Sequence, residues 1–147
     1  MKKYEYCFKK PLDTTKDFHR GHRSTKDHHQ QLMPRLTFCG DGHLPESPIR
    51  IVARQIKEIP PDYEPHMERV THDVDTLYLF VSEEEGGLEA EVTLGDEVYQ
   101  ITSPMTVLLP KNVPHRYVPK RGHGFVFVVL DLPCDADYNK HTFTSKG

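Results

Sequence analysis

One histidine, His115, stands where the surrounding residues would hold its side chain rigidly. The segment PMTVLLPKNVPHRYVP spans residues 104–119. The apolar run before Pro110 predicts a strand that ends there, because proline cannot donate to a ladder. Asn112 tolerates the left-handed backbone that would turn the chain, and Pro114 stiffens the approach to the histidine. A fixed imidazole at such a place can ligate a metal or exchange a proton, so we take His115 as the centre of a functional site.

The spacing around His115 resembles the second conserved motif of the cupin superfamily. That motif is a glycine, five residues, Pro-x-Gly, two residues and a histidine that ligates metal. Pro104 stands here at the first glycine, Pro110 and Asn112 bound the Pro-x-Gly part, and His115 matches the histidine. Pro119 replaces the asparagine that often follows four residues later. Three positions differ but the spacing is intact, and the resemblance implies a barrel with His115 directed inward.

The upstream segment EPHMERVTHDVDTLYLFVS, residues 64–82, resembles the first cupin motif, His-x-His, three or four residues, then Glu. His72 matches its second histidine, but Val70 stands at the first and Thr76 at the glutamate. An alternative alignment with a four-residue insertion places His66 at the first histidine, and on an extended strand His66 and Glu68 would share one face with His72. The resemblance therefore implies a metal site drawn from His66, Glu68, His72 and His115.

The chemistry of such a site follows from its ligands. Imidazoles and a carboxylate with open positions suit Fe(II), Mn(II), Ni(II) or Zn(II), which activate oxygen or polarise a substrate. Asp75 is a further carboxylate beside His72. The residues at Val70 and Thr76 also allow a barrel that binds no metal, in which the histidines only line a pocket. Both alternatives stay open at the level of sequence.

Two other groups of residues carry weaker signals. Arg50, Arg54 and Arg69 lie on or beside predicted strands, and any that face inward could clamp a carboxylate through paired hydrogen bonds. Surface charge is the favoured interpretation for each of them alone. Four histidines between residues 19 and 29 have helical spacing, but the segment has no apolar period and is better interpreted as a solvated arm.

Short strands with turns predict an all-β fold from residue 48 onward. TLYLFV is expected to be buried on both faces, and the alternating segments LEAEVTL and EVYQIT form a hairpin. Together with the resemblance, this predicts a cupin-like double-stranded β-helix, or jelly-roll barrel, over residues 48–133. Residues 1–47 form a polar N-terminal arm with peripheral strands, one of them near Tyr4–Phe8, and residues 134–147 form a peripheral tail. The predicted strands are 49–59, 76–81, 88–94, 97–102, 105–110 and 124–133.

The overall composition excludes several classes of protein. A net charge of −3 over 147 residues argues against a nucleic-acid-binding protein, which normally carries a basic surface. Cys7, Cys39 and Cys134 are too few and too widely spaced for a disulfide framework or a cysteine zinc site. No apolar run approaches the ~20 residues that span a bilayer. We therefore expect a cytoplasmic protein with reduced thiols and no membrane contact.

The hypothesis that follows is a metal-dependent enzyme of the dioxygenase, decarboxylase or isomerase type, acting on a small polar or acidic molecule in the barrel. The alternative is a non-catalytic binding or sensing barrel with an incomplete metal site. A homodimer is expected in either case, with the polar N-terminal arm as one source of contacts between subunits.

Overall fold

The computed structural model describes residues 2–15, 32–40, 43, 48–61, 63, 69–132 and 138–145. Most of them lie in strands, and two 3-10 turns, Glu5–Cys7 and Tyr138–His141, lie near the ends of the chain. The strands are β1 (Leu12–Asp13), β2 (Arg35–Cys39), β3 (Ile49–Ile56), β4 (Arg69–His72), β5 (Thr76–Val81), β6 (Leu88–Leu94), β7 (Glu97–Thr102), β8 (Met105–Leu109), β9 (His115–Gly122), β10 (Gly124–Asp131) and β11 (Thr142–Ser145).

The strands form two antiparallel sheets, which confirms the all-β, jelly-roll prediction. The first sheet has six strands in the order β1-β2-β3-β10-β5-β8, and the second has five in the order β11-β4-β9-β6-β7. From β3 onward, consecutive strands lie in different sheets, as when β4 in the second sheet leads to β5 in the first, and the β6–β7 hairpin is the exception among the described strands. Each sheet is hydrogen-bonded only within itself over the described residues, so the two sheets do not close into a continuous ladder.

The core lies between the two sheets and is formed by alternate residues of their strands. Tyr78 and Phe80 of β5 pair across the ladder with Val128 and Val126 of β10, and all four are buried. The second sheet contributes buried residues of β6 and β9, including Leu88, Ala90, Val92 and Tyr117. This alternation follows from the strand period of two, which directs every second side chain inward.

The strands expected at 76–81, 88–94, 97–102 and 105–110 are all present, and those at 49–59 and 124–133 end slightly earlier. The strand expected near Tyr4–Phe8 is wrong. Its alternating aromatic side chains are exposed, and Phe8 N–H bonds to the Glu5 carbonyl in a 3-10 turn. A period of two makes a strand only where a partner strand pairs with it.

The chain leaves β9 of one sheet for β10 of the other just after Gly122, where the backbone lies close to Gly87 at the start of β6. Gly122 has φ +93°, and a Cβ there would overlap the Gly87 carbonyl oxygen. Replacing Gly122 with Ala should therefore lower the free energy of unfolding by about 2 kcal/mol or more. Gly95, at φ +58° with nothing within 4 Å of the added Cβ, is the matched control, and its change to Ala should cost about 1 kcal/mol. Urea denaturation of both variants measures the difference, and equal losses would contradict the proposed clash.

Two further observations bear on the environment of the chain. Cys7 is exposed, Cys39 is buried, and both are free thiols. Over the stretches that the structure describes, no helix has the length and apolar character needed to cross a membrane.

Candidate functional site

His72 and His115 lie side by side in the interior, at the ends of neighbouring strands. His72 is the last residue of β4 and His115 is the first residue of β9, and the two strands pair antiparallel through Val70 and His115. The ring centroids are 4.9 Å apart, with the planes tilted by 45°. Only 3% of His72 and 2% of His115 is exposed. The meeting of these histidines, which the resemblance implied, is therefore present although 43 positions separate them (115 − 72).

The loop between β8 and β9 is fastened to His72, which brings the two histidines together. Asn112 has φ +66°, the left-handed conformation expected for it. Its N–H donates to the His72 carbonyl over 2.7 Å. The neighbouring Lys111 N–H donates to Asp75 Oδ1 over 3.0 Å. Asp75 is exposed and holds this turn from outside, so its carboxylate acts on the loop and not as a group in the barrel.

Hydrogen bonds on the ring nitrogens orient both imidazoles. His115 Nδ1 lies 3.0 Å from the Val113 carbonyl oxygen. Because a carbonyl only accepts, Nδ1 carries the proton and Nε2 keeps its lone pair. His72 Nδ1 lies 3.2 Å from Thr142 Oγ1, and its ring also hydrogen-bonds to the His141 backbone. These contacts come from Thr142, the first residue of β11, and from His141, the last residue of the 3-10 turn before it.

Both histidines are held neutral at physiological pH. Burial is the largest cause in each case, because it disfavours the charged imidazolium. It lowers the pKa of His115 to about 4, against the opposing effect of the hydrogen bond to Val113. The pKa of His72 falls to about 3 through burial and then through the charge of His115, with a further contribution from the Arg50 guanidinium. Two neutral imidazoles next to one another present lone pairs, as a metal or a proton donor requires.

Aromatic side chains form the wall beside the histidine pair. Tyr78 meets His115 edge to face, with ring centroids 5.8 Å apart, and meets Tyr117 in the same way at 5.1 Å. Phe80 contacts both tyrosines at 5.8–5.9 Å. Burial raises the pKa of Tyr117 and so keeps its hydroxyl protonated. This wall keeps bulk water from one side of the imidazoles.

The arginines on β3 face the interior, so the interpretation of Arg50 as surface charge is wrong. Arg50 is fully buried, and Gly40 makes room for its side chain, since a Cβ at Gly40 would stand 2.8 Å from Arg50 Cγ. Arg54 donates to the Met33 carbonyl over 2.9 Å and hydrogen-bonds to Tyr117. Arg69, in contrast, donates to the carbonyl of Gly95 in the turn between β6 and β7. The positive charge of Arg50 reaches His72 and favours anionic groups there.

The structure tests only part of the expected ligand set. His66 and Glu68 lie outside the described residues, as do the histidines at 19, 22, 28 and 29. Val70 and Thr76, at the two other motif positions, are buried and offer no strong ligand. The described residues contain no group of three or more His, Cys, Asp or Glu side chains placed to hold a metal ion. The His72–His115 pair fits half of a transition-metal site by its donor nitrogens and neutral state.

Thr142 is a site residue that sequence reasoning missed, because the tail was expected to be peripheral. It is fully buried on β11 and pairs with His72 across the ladder. The only sequence pattern that favours a strand over Thr142–Ser145 is the β-branched threonine at every second position of TFTS. Changing Thr142 to Val should shift the His72 Nδ1 resonance in ¹⁵N NMR and cost about 1 kcal/mol, since a buried hydrogen bond is lost. Thr144→Val, an exposed change on the same strand, should do neither, and an unmoved His72 resonance in Thr142→Val would contradict the assigned contact.

No protein-family model matches this sequence, and no curated protein matches it either. Solved structures show its likeness at the level of fold. PAC13 from Streptomyces, a nucleoside dehydratase solved with uridine, shares 11% identity over 78% of each chain with a TM-score of 0.54. Oxalate decarboxylase from Bacillus subtilis shares 15% identity over 76% of this chain and 28% of its own, with a TM-score of 0.55.

A cupin 2 domain-containing protein from Halorhodospira halophila shares 19% identity over 88% of this chain and 79% of its own, with a TM-score of 0.52. These likenesses agree with the two-sheet architecture. Two of the similar proteins are enzymes, and the third has no stated activity. The chain therefore has a cupin-like fold, with the histidines of its two motif segments brought together between the sheets.

Proposed function

We propose that this chain is a small cupin-like enzyme that acts on a small polar or acidic molecule between its sheets, with a divalent metal held by His72 and His115. The adjacent pair of buried, neutral imidazoles carries this proposal, since their ring centroids are 4.9 Å apart. His66 and Glu68 would complete the ligand set. A bound Fe, Mn, Ni or Zn ion would act as a Lewis acid or activate oxygen, as dioxygenases, decarboxylases and isomerases require.

The chain's own residues would prepare the site in three ways. The Val113 carbonyl accepts a hydrogen bond from His115 Nδ1, which leaves Nε2 available, and Thr142 of β11 contacts His72 Nδ1. A hydrogen bond on the ring nitrogen that does not ligate is the usual support of a metal-binding histidine. Arg50 supplies positive potential near His72, which favours a substrate carboxylate over a neutral group. Tyr78 and its aromatic neighbours limit the access of water.

The second candidate is a metal-free barrel that binds an acidic molecule without transforming it. Two observations favour it. Val70 and Thr76 stand where a complete motif has ligands, and the positive charge of Arg50 opposes a second cation near His72. The same imidazoles would then serve as hydrogen-bond partners for the bound molecule. A cytoplasmic location fits either candidate and is part of the proposal.

Elemental analysis of protein purified without a histidine tag separates the two candidates. The metal-dependent enzyme should contain close to one Fe, Mn, Ni or Zn per chain, or take up one equivalent after removal of metal with EDTA. His66→Ala and Glu68→Gln should each weaken that uptake by about tenfold or more if these residues complete the set. Protein that stays metal-free after incubation with all four ions would reject the proposal in favour of the binding barrel.

A further inference from the structure

The outer face of the six-stranded sheet is apolar, which a sheet facing water would not be. Solvated antiparallel sheets alternate apolar residues inside with polar residues outside. Here the outward positions of the two central strands are apolar as well. They are Leu77, Leu79 and Val81 on β5 and Phe125, Phe127 and Val129 on β10. We name this surface, with the outward residues of β2, β3 and β8 beside it, the outer face.

The strand register makes these side chains one continuous surface. Leu77 pairs with Val129, Leu79 with Phe127, and Val81 with Phe125. On the two flanks, Leu108 of β8 pairs with Leu77 and Ile51 of β3 pairs with Val129. Phe125 and Phe127 stack at 5.8 Å, and Phe127 meets Phe38 of β2 at 5.9 Å. The apolar surface thus crosses five adjacent strands.

Part of this surface, on β5 and β8, remains open in the single chain. Leu108 is 57% exposed and Val81 is 44% exposed, while Phe125, Phe127 and Val129 are only partly covered. The sequence predicts that both faces of TLYLFV are buried. The structure confirms this only for the inner face, formed by Thr76, Tyr78 and Phe80. Exposed apolar patches of this extent mark sites of association.

We propose that the outer face is the contact surface of a homodimer, in which a second copy of this chain packs its own outer face against the first. Four strand spacings and about seven residues of strand length give an area of roughly 19 Å by 23 Å. This projected area of about 440 Å² is roughly half of the ~800 Å² per partner in a standard interface, and the side chains at its rim add to it, so the contact is at the small end of specific interfaces. Two sheets that pack face to face, about 10 Å apart, form the apolar core of β-sandwich proteins, and the proposed dimer contact has the same geometry.

Charge and composition favour a second copy over other occupants. The outward positions of β5, β8 and the central part of β10 carry no charged side chain, and Asp131 stands only at the end of β10. Such a face meets its own copy without repulsion between like charges. Residues 16–31, a segment of this chain that could otherwise cover it, read KDFHRGHRSTKDHHQQ and contain one large apolar residue, Phe18. A segment of this composition offers little apolar side chain to bury against the outer face, and a second copy offers the whole of it.

The test is the mass in solution, measured by sedimentation under reducing conditions between about 0.1 and 50 µM. The wild type should have twice the 17.0 kDa mass of one chain. Leu108→Asp and Val81→Asp should each raise the dissociation constant at least tenfold, and the double variant should be monomeric. Val98→Asp is the matched control, because Val98 is 56% exposed on β7 of the other sheet, and it should stay dimeric.

Three results would overturn the proposal. They are a monomeric wild type at 50 µM, a Leu108→Asp/Val81→Asp protein that stays as dimeric as the wild type, or equal disruption by Val98→Asp. Circular dichroism and a urea transition show whether each variant is folded. Because both changed side chains are already exposed in the single chain, the double variant should keep its fold. A third variant, Thr106→Asp on the same face, replaces either one that fails to fold.

Discussion

Replacing His115 with alanine should weaken divalent-metal binding by about a hundredfold or more. Removing a residue that hydrogen-bonds to a metal-ligating side chain weakens metal affinity ten- to a hundredfold. Removing the metal-ligating side chain itself should weaken it at least as much. His115 is the better of the two histidines to change, because its Nδ1 bond to Val113 leaves Nε2 as the nitrogen that faces the site. Titration calorimetry with Zn(II), Mn(II) and Ni(II) on metal-stripped protein measures the change.

The control for this variant is His123→Ala. His123 is exposed in the turn from β9 to β10, at the far end of the strand that His115 begins. Its removal should leave metal affinity unchanged within a factor of two or so. A His115→Ala protein that binds metal as tightly as the wild type would show that the ions bind elsewhere, for instance at the histidines between residues 19 and 29.

The metal-free protein should lose several kcal/mol of stability between pH 7 and pH 4.5. The folded state holds His72 at a pKa of about 3 and His115 at about 4, whereas both titrate near 6.5 when unfolded. Between these values the unfolded chain binds more protons than the folded one, so the free energy of unfolding falls as the pH falls. Each histidine contributes about 1.4 kcal/mol per pH unit over this window, or about 2 kcal/mol at pH 5.

Urea denaturation at intervals from pH 7.5 to pH 4.5 measures this dependence. Above the unfolded pKa near 6.5 the two histidines should contribute no slope, because both states are then neutral there. Replacing His115 with Gln should remove about half of the slope below pH 6.5, and His123→Gln should leave it unchanged. A free energy of unfolding that is flat from pH 6.5 to pH 5 would contradict the buried, neutral state of the pair.

The fold could be predicted largely from the sequence because its strands have clear boundaries. Thr76–Val81 is a short apolar run, and the turn at Gly95 separates two alternating segments. The strand β9 was not anticipated, because it contains Pro119 and three basic residues within eight positions. The sequence predicts a strand that ends at Pro110 and no strand directly after it, whereas His115 is the first residue of β9. Local pattern could not reveal this, since β9 is defined by its pairing with β6 and β4.

The site could be predicted in part, for a similar reason. His72 and His115 were found by motif spacing, and the structure brings them together as the resemblance implied. The contribution of Thr142 depends on β11 crossing to β4, a pairing over 70 positions that no local signal contains (142 − 72). The burial of Arg50 likewise depends on the space left by Gly40, which sequence spacing does not show.

The most direct test of the central claim is ¹⁵N NMR of the histidine side chains during titration with Zn(II). Before zinc is added, His115 should show a protonated Nδ1 and an unprotonated Nε2 at pH 7. One equivalent of Zn(II) should shift the Nε2 resonances of His72 and His115 together, with no change at His123. Zinc that shifts only other histidines, or that leaves both of these resonances in place, would contradict a metal site built on the His72–His115 pair.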